Sequence, residues 1–131
     1  MPLQVELVSP ERTLFEGEAT MVRARTVGGG DIAFLPGHSP FVGALETWTL
    51  EIALVDGSTE LAAVHGGFVE VSDDKVKVLS NLAELSGSID VDRARRAKEA
   101  AEAALAKGDD VEAEAGLRRA HARLVATGNA A

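Results

Sequence analysis

The chain changes material near residue 88, and that break limits what it can fold into. Every proline (Pro2, Pro10, Pro36, Pro40) and every aromatic residue (Phe15, Phe34, Phe41, Phe68, Trp48) lies before it, and alanine dominates after it. Proline breaks helix interiors and alanine is the best helix former, so the two stretches call for different secondary structure. Charge divides at the same place. Residues 1–89 carry 13 acids and 5 bases, a net of −8, whereas residues 90–131 carry 8 of each. Balanced charge on an alanine-rich stretch is the pattern of a solvated helix.

The first stretch reads as short strands. Leu3, Val5 and Leu7 alternate with polar residues, as do Val22 and Ala24, Leu50, Ile52 and Leu54, and Val76 and Val78. A period of two puts one face in a core and the other in water. Turn signals separate the runs: Ser9-Pro10, Glu16-Gly17, Gly28-Gly29-Gly30, Pro36-Gly37, Asp56-Gly57 and Ser72-Asp73-Asp74. Asp56-Gly57 is the clearest hairpin signal. Seven or more short strands with frequent turns predict a β-sandwich or barrel over residues 1–85.

After a linker at 86–89, residues 90–131 predict an antiparallel two-helix hairpin. The first helix runs from about Asp90 to Ala106 and stops at Lys107-Gly108; Asp109 or Asp110 caps a second that runs to about Ala126, before Gly128. The expected apolar stripes are Ala94, Ala97, Ala101 and Leu105, and Ala113, Leu117, Ala120 and Leu124. Alanine stripes bury little apolar area, so such a hairpin would hold to another surface by only a few kcal/mol. Two readings stay open: a permanently docked tail, or an appendage that detaches and changes partners.

Several function classes are disfavoured. A net charge of −8 repels nucleic-acid phosphate. With no cysteine there are no disulfides, thiolate metal sites or cysteine nucleophiles. No apolar run reaches the length of a membrane span, and Met1-Pro2-Leu3-Gln4 does not look like a signal peptide, so a soluble cytosolic protein is expected. His38, His65 and His121 lack metal-ligand spacing, and no metal site is expected. Ser39, in Gly37-His38-Ser39-Pro40-Phe41, lacks the second glycine and following helix of a nucleophile elbow. Gly28-Gly29-Gly30-Asp31 precedes a strand and lacks the Lys-Ser/Thr of a phosphate loop, so a tight hairpin is expected there. No catalytic residue is assigned. Arg119 and Arg123 are four apart on one helix face, and Arg93 can face them across the hairpin. Three converging guanidinium groups could grip a polyphosphate. On the residues alone, ordinary pairing with neighbouring acids is favoured over that site.

In order along nearly its whole length, the chain resembles the epsilon subunit of bacterial F-type ATP synthase. The resemblance is carried by Val5-Glu6-Leu7-Val8-Ser9-Pro10-Glu11-Arg12, by Phe15-Glu16-Gly17-Glu18-Ala19, and most specifically by Gly30-Asp31-Ile32-Ala33-Phe34-Leu35-Pro36-Gly37-His38-Ser39-Pro40. Gly66-Gly67-Phe68-Val69-Glu70-Val71, Val76-Lys77-Val78-Leu79 and Ile89-Asp90-Val91-Asp92-Arg93-Ala94 complete it. The chain departs at Ala33, where the family often has glycine, and at Glu46-Thr47-Trp48-Thr49, which replaces a glycine-containing turn.

The resemblance implies an N-terminal β-sandwich followed by a helical hairpin, and a non-catalytic rotor subunit of a proton-translocating synthase. The sandwich would bind the gamma subunit and sit on the c-ring at the cytoplasmic face of the bacterial membrane. The hairpin, when extended, would reach the alpha and beta subunits and inhibit ATP hydrolysis. Asp31 and His38 match the family positions expected to face the c-ring. No cofactor is required, but some family members bind ATP as a regulatory ligand. The corresponding positions here are Glu84, Ile89, Asp90, Arg93, Ala94, Arg119 and Arg123. The alternative is a stand-alone ATP-binding sensor or interaction module of the same fold; a small hydrolase is disfavoured because no triad or metal spacing is present.

Overall fold

The computed structural model describes residues 1–129, so the last two residues of the expected 90–131 hairpin lie outside it. Nine strands come first: β1 Leu3–Val8, β2 Thr13–Thr26, β3 Gly30–Phe34, β4 Phe41–Ala44, β5 Thr47–Leu54, β6 Thr59–His65, β7 Phe68–Ser72, β8 Lys75–Leu79 and β9 Ala83–Leu85. A 3-10 turn over Ser86–Ser88 leads to two helices, α1 Val91–Leu105 and α2 Val111–Ala126.

Strand β2 folds the sheet into two layers. Its first half pairs with β1, its second half with β5 on one side and β3 on the other, and its register against β5 shifts between Ala19 and Met21. One layer runs β4-β7-β8-β1-β2, with β1 and β8 parallel; the other runs β2-β5-β6-β9, with β3 beside β2. The inward residues form one core: Leu3, Val5, Leu7, Val22, Ala24, Phe34, Leu50, Ile52, Val76 and Val78 are all buried in it. Those residues include the alternating positions expected from sequence, except Leu54, which is partly buried. Asp56-Gly57 turns β5 into β6, and Gly28-Gly29 turns β2 into β3, as expected.

Glu16-Gly17 is not a turn: β2 runs straight through it, with Gly17 opposite Val5. The Phe15 ring lies over the glycine, so close that a Cβ there would meet its Cζ at 3.1 Å. The missing side chain makes room for an aromatic ring instead of a bend.

Asp90 caps α1, accepting from the Arg93 backbone N–H at 3.0 Å, and Asp110 caps α2, accepting from that of Ala113 at 3.0 Å. Gly128, at φ 80°, closes α2. Helix α2 lies between α1 and strands β5 and β6. It therefore buries Ala120, Ala122, Leu124 and Ala126, more than the single stripe expected. On α1 only Ala94 and Ala101 are buried, and Ala97, expected in the stripe, is exposed. Against the sheet, Ala122 and Ala126 pack on Ala63 of β6 in a small cluster flanked by Trp48, Leu61 and Ile89. Thr49 adds one hydrogen bond, its hydroxyl donating to the Ala122 carbonyl at 2.9 Å.

Candidate functional site

The hairpin meets the sandwich around one carboxylate. Glu84 is on β9, opposite Ala63 of β6, and His65 lies two residues further along β6 on the same face. Arg123 reaches the same point from α2. Glu84 Oε1 accepts from Arg123 Nε at 2.6 Å and from His65 Nε2 at 3.0 Å. A carboxylate at neutral pH only accepts, so His65 is assigned the tautomer with its proton on Nε2. That leaves Nδ1 as a bare acceptor, buried and without a partner among the described residues. The His65 hydrogen bond first, then the Arg123 hydrogen bond and charge, hold the Glu84 carboxyl down at about 2 against the opposing effect of burial.

Beside this junction is a cleft of about 260 Å³ lined by Glu84, Ser88, Asp90, Arg93, Ala94, Ala97 and Arg123. Five of the seven residues expected at a nucleotide site line it. Of the other two, Ile89 packs beside the Ala63 cluster, and Arg119 pairs with Glu112 at 3.0 Å. Asp90 is occupied as the α1 cap, whereas the exposed Arg93 side chain makes no ion pair among the described residues. The volume is slightly under the roughly 300–1,000 Å³ of ligand pockets, enough for part of a nucleotide. Two of its lining residues are arginines, which complement phosphate oxygens, but Glu84 already occupies Arg123.

Asp31 and His38 do not converge. Asp31, at the head of β3, accepts from Arg25 Nε at 2.9 Å and Nη2 at 3.4 Å. The Arg25 guanidinium in turn lies 4.0 Å from the Trp48 ring centroid. His38 lies beyond the other end of the strand, in a turn closed by its N–H donating to the Leu35 carbonyl at 3.0 Å. Its Nδ1 donates to the Ser39 carbonyl at 2.7 Å, and its ring meets Phe34 edge-on at 5.0 Å. Asp74, at φ 59°, accepts from the Gly37 N–H at 2.7 Å and so fastens this turn to the β7–β8 hairpin.

Two family models match in sequence. One, described as the beta-sandwich domain of the ATP synthase delta/epsilon chain, covers residues 2–86; the other, its long alpha-helix domain, covers residues 88–128. The chain belongs to the ATP synthase delta/epsilon-chain family. Among its relatives, the ATP synthase epsilon chain of Streptomyces griseus is 49% identical over 123 residues, 93% of this chain and 92% of that one. The epsilon chain of Halalkalibacterium halodurans is 45% identical over 132 residues, 96% and 97% of the two chains. A chain in the cryo-EM structure of Euglena gracilis mitochondrial ATP synthase shares the fold at a TM-score of 0.83, covering 98% of this chain and 82% of that one at 22% identity. As a family member the chain is an ATP synthase subunit built as a β-sandwich followed by helices. No helix among the described residues is long and apolar enough to cross a membrane.

His65 is the residue of this junction that sequence reasoning missed. A lone histidine beside two glycines carries no spacing signal, and its partner Glu84 is 19 residues away on another strand. Ser88 and Ala97 also line the cleft without having been expected there.

Proposed function

We propose that this chain is a non-catalytic rotor subunit in the central stalk of a proton-translocating F-type ATP synthase. In that role its sandwich couples c-ring rotation to ATP synthesis, and its hairpin inhibits ATP hydrolysis when extended. The observation that carries the regulatory part is the slightness of the hairpin's hold. Three alanines, their few apolar neighbours, the Thr49 bond and the Glu84–Arg123 pair fasten α2 to the sheet. At about 25 cal/mol per Å², that is a hold of only a few kcal/mol, small enough for a detached state to be populated.

The partners proposed are the gamma subunit and the c-ring for the sandwich, and the alpha and beta subunits for the extended hairpin. As part of that complex the chain is proposed to lie peripherally at the cytoplasmic face of a bacterial membrane. Asp31 and His38 are proposed as c-ring contacts. An exposed strand end held by Arg25 in one case, and a turn held by Asp74 in the other, suit a surface that bears on a turning ring. ATP is proposed as a regulatory ligand of the cleft, with no cofactor required. Arg93 and Arg123 would take phosphate oxygens. Asp90, Ala94 and Ile89 would fix the head of α1, Glu84 would line the sheet side, and Arg119 would join only after leaving Glu112.

Deleting residues 90–131 in the assembled enzyme tests the inhibitory role: ATP hydrolysis should rise while assembly persists. Unchanged hydrolysis would overturn it. The cleft also suits the second reading, a stand-alone ATP sensor, in which the chain would bind ATP but neither gamma nor the c-ring.

A further inference from the structure

We propose that His65 is a positioning residue that sets how firmly the hairpin is held, by fixing the Glu84 carboxylate where Arg123 can reach it. The inference rests on the reading of the hairpin as detachable, and concerns what governs its release. Glu84 is on a three-residue strand at the sheet edge, its side chain about a quarter exposed. A glutamate there has three free side-chain torsions, and water competes for its oxygens. His65 removes that freedom. Its side chain is 4% exposed, and its backbone is held by β5 on one side and by the Leu82 carbonyl, at 3.0 Å, on the other. From that fixed base Nε2 holds the same oxygen, Oε1, that Arg123 uses.

A short, rigidly held N–H donor suits this task. A lysine or arginine at position 65 would neutralise Glu84 and compete with Arg123 for it. The His65 Nε2–H orients the carboxylate while Oε1 still accepts from Arg123 of the helix. Packing alone does not account for a histidine here, because its Nδ1 is buried with no partner among the described residues, and an apolar residue would leave no polar atom dry. What His65 adds is its grip on Glu84.

The test uses the full chain without nucleotide. Amide hydrogen exchange over residues 120–126 of α2 reports release of the hairpin, and exchange in β1 and β8 reports the sandwich core. Trp48, the chain's single tryptophan, lies at the docking cluster and gives an independent fluorescence signal. In His65→Val, docking must itself order the Glu84 side chain, which implies about ten-fold weaker α2 protection, with β1 and β8 unchanged. His65→Gln, which keeps a neutral N–H donor, should recover part of that loss. In an Arg123→Gln background His65→Val should cause no further loss, because the latch it serves is already gone.

Three results would overturn the proposal: unchanged α2 protection in His65→Val, a loss that adds in full to that of Arg123→Gln, or equal loosening of β1 and β8. Should His65→Val fail to fold, His65→Gln decides the matter against Glu84→Gln. It should weaken α2 protection in the parent and change nothing once Glu84 has lost its charge; an equal effect in both overturns the proposal. Failure here would leave the rotor reading intact, since that is judged by binding to gamma and the c-ring.

Discussion

At Glu84, one oxygen joins two parts of the chain, and acid should weaken the joint. The carboxyl is held at about 2, below its ordinary value of 4.5, so its contribution is full above about pH 4.5 and fades as pH falls toward 2. The His65 bond, the largest cause, does not need the hairpin; only the share from Arg123 is lost on release. A modest acid-induced release is therefore expected between pH 4.5 and 2, seen as a change in Trp48 fluorescence and absent in Glu84→Gln. An identical acid transition in Glu84→Gln would show that another group drives it. At this scale the sequence was informative where residues lay within a motif: Asp90, Arg93 and Ala94 fall together because one helix start carries them. Arg119 fell outside the cleft because Glu112, about two turns before it on the same helix, holds its guanidinium. His65 was invisible because strand pairing, not spacing, brings it to Glu84.

Helix α2 shows what pattern can and cannot give. Caps and periodicity placed both helices to within a residue or two, because Asp90, Asp110, Gly108 and Gly128 act locally. They did not show that α2 has two partners. Alanine is at home on any face of a helix, so Ala122 and Ala126 carried no signal of the sheet beneath them. Gly17 misled in a similar way, because what it accommodates is the ring of Phe15. The docking cluster makes a sharp prediction. Ala63 and Ala122 are fully buried in it, and Ala122→Leu would overpack it by about 1–3 kcal/mol, comparable with the whole hold of the hairpin. The expected outcome is a released hairpin with the thermal midpoint of the sandwich nearly unchanged. Undiminished amide protection of α2 in that variant would mean the hairpin is held far more strongly than the contacts suggest.

Across the whole molecule, the two cores are separate. The sandwich core draws its buried residues from Leu3 to Val78 and none from the helices. Residues 1–89 should therefore fold alone, with β1 and β8 amides protected as in the full chain. Loss of that protection would make the hairpin part of the sandwich's own stability. A ligand that binds only the docked form would act on the whole molecule, adding about 2.7 kcal/mol at a hundred-fold excess over its Kd. Calorimetry of the full chain with ATP should show heat that Arg93→Ala and Arg123→Ala each reduce; no heat at millimolar ATP would remove the nucleotide from the account. Work as a stalk subunit needs neither ATP binding nor a mobile hairpin. Its most direct test is to tag the full chain, solubilise the membranes of the cells that make it, and determine what co-purifies in fixed ratio. The gamma subunit and the c-ring should come with it, whether or not ATP is present. A chain that elutes alone, from membranes whose gamma subunit and c-ring remain joined, would contradict it.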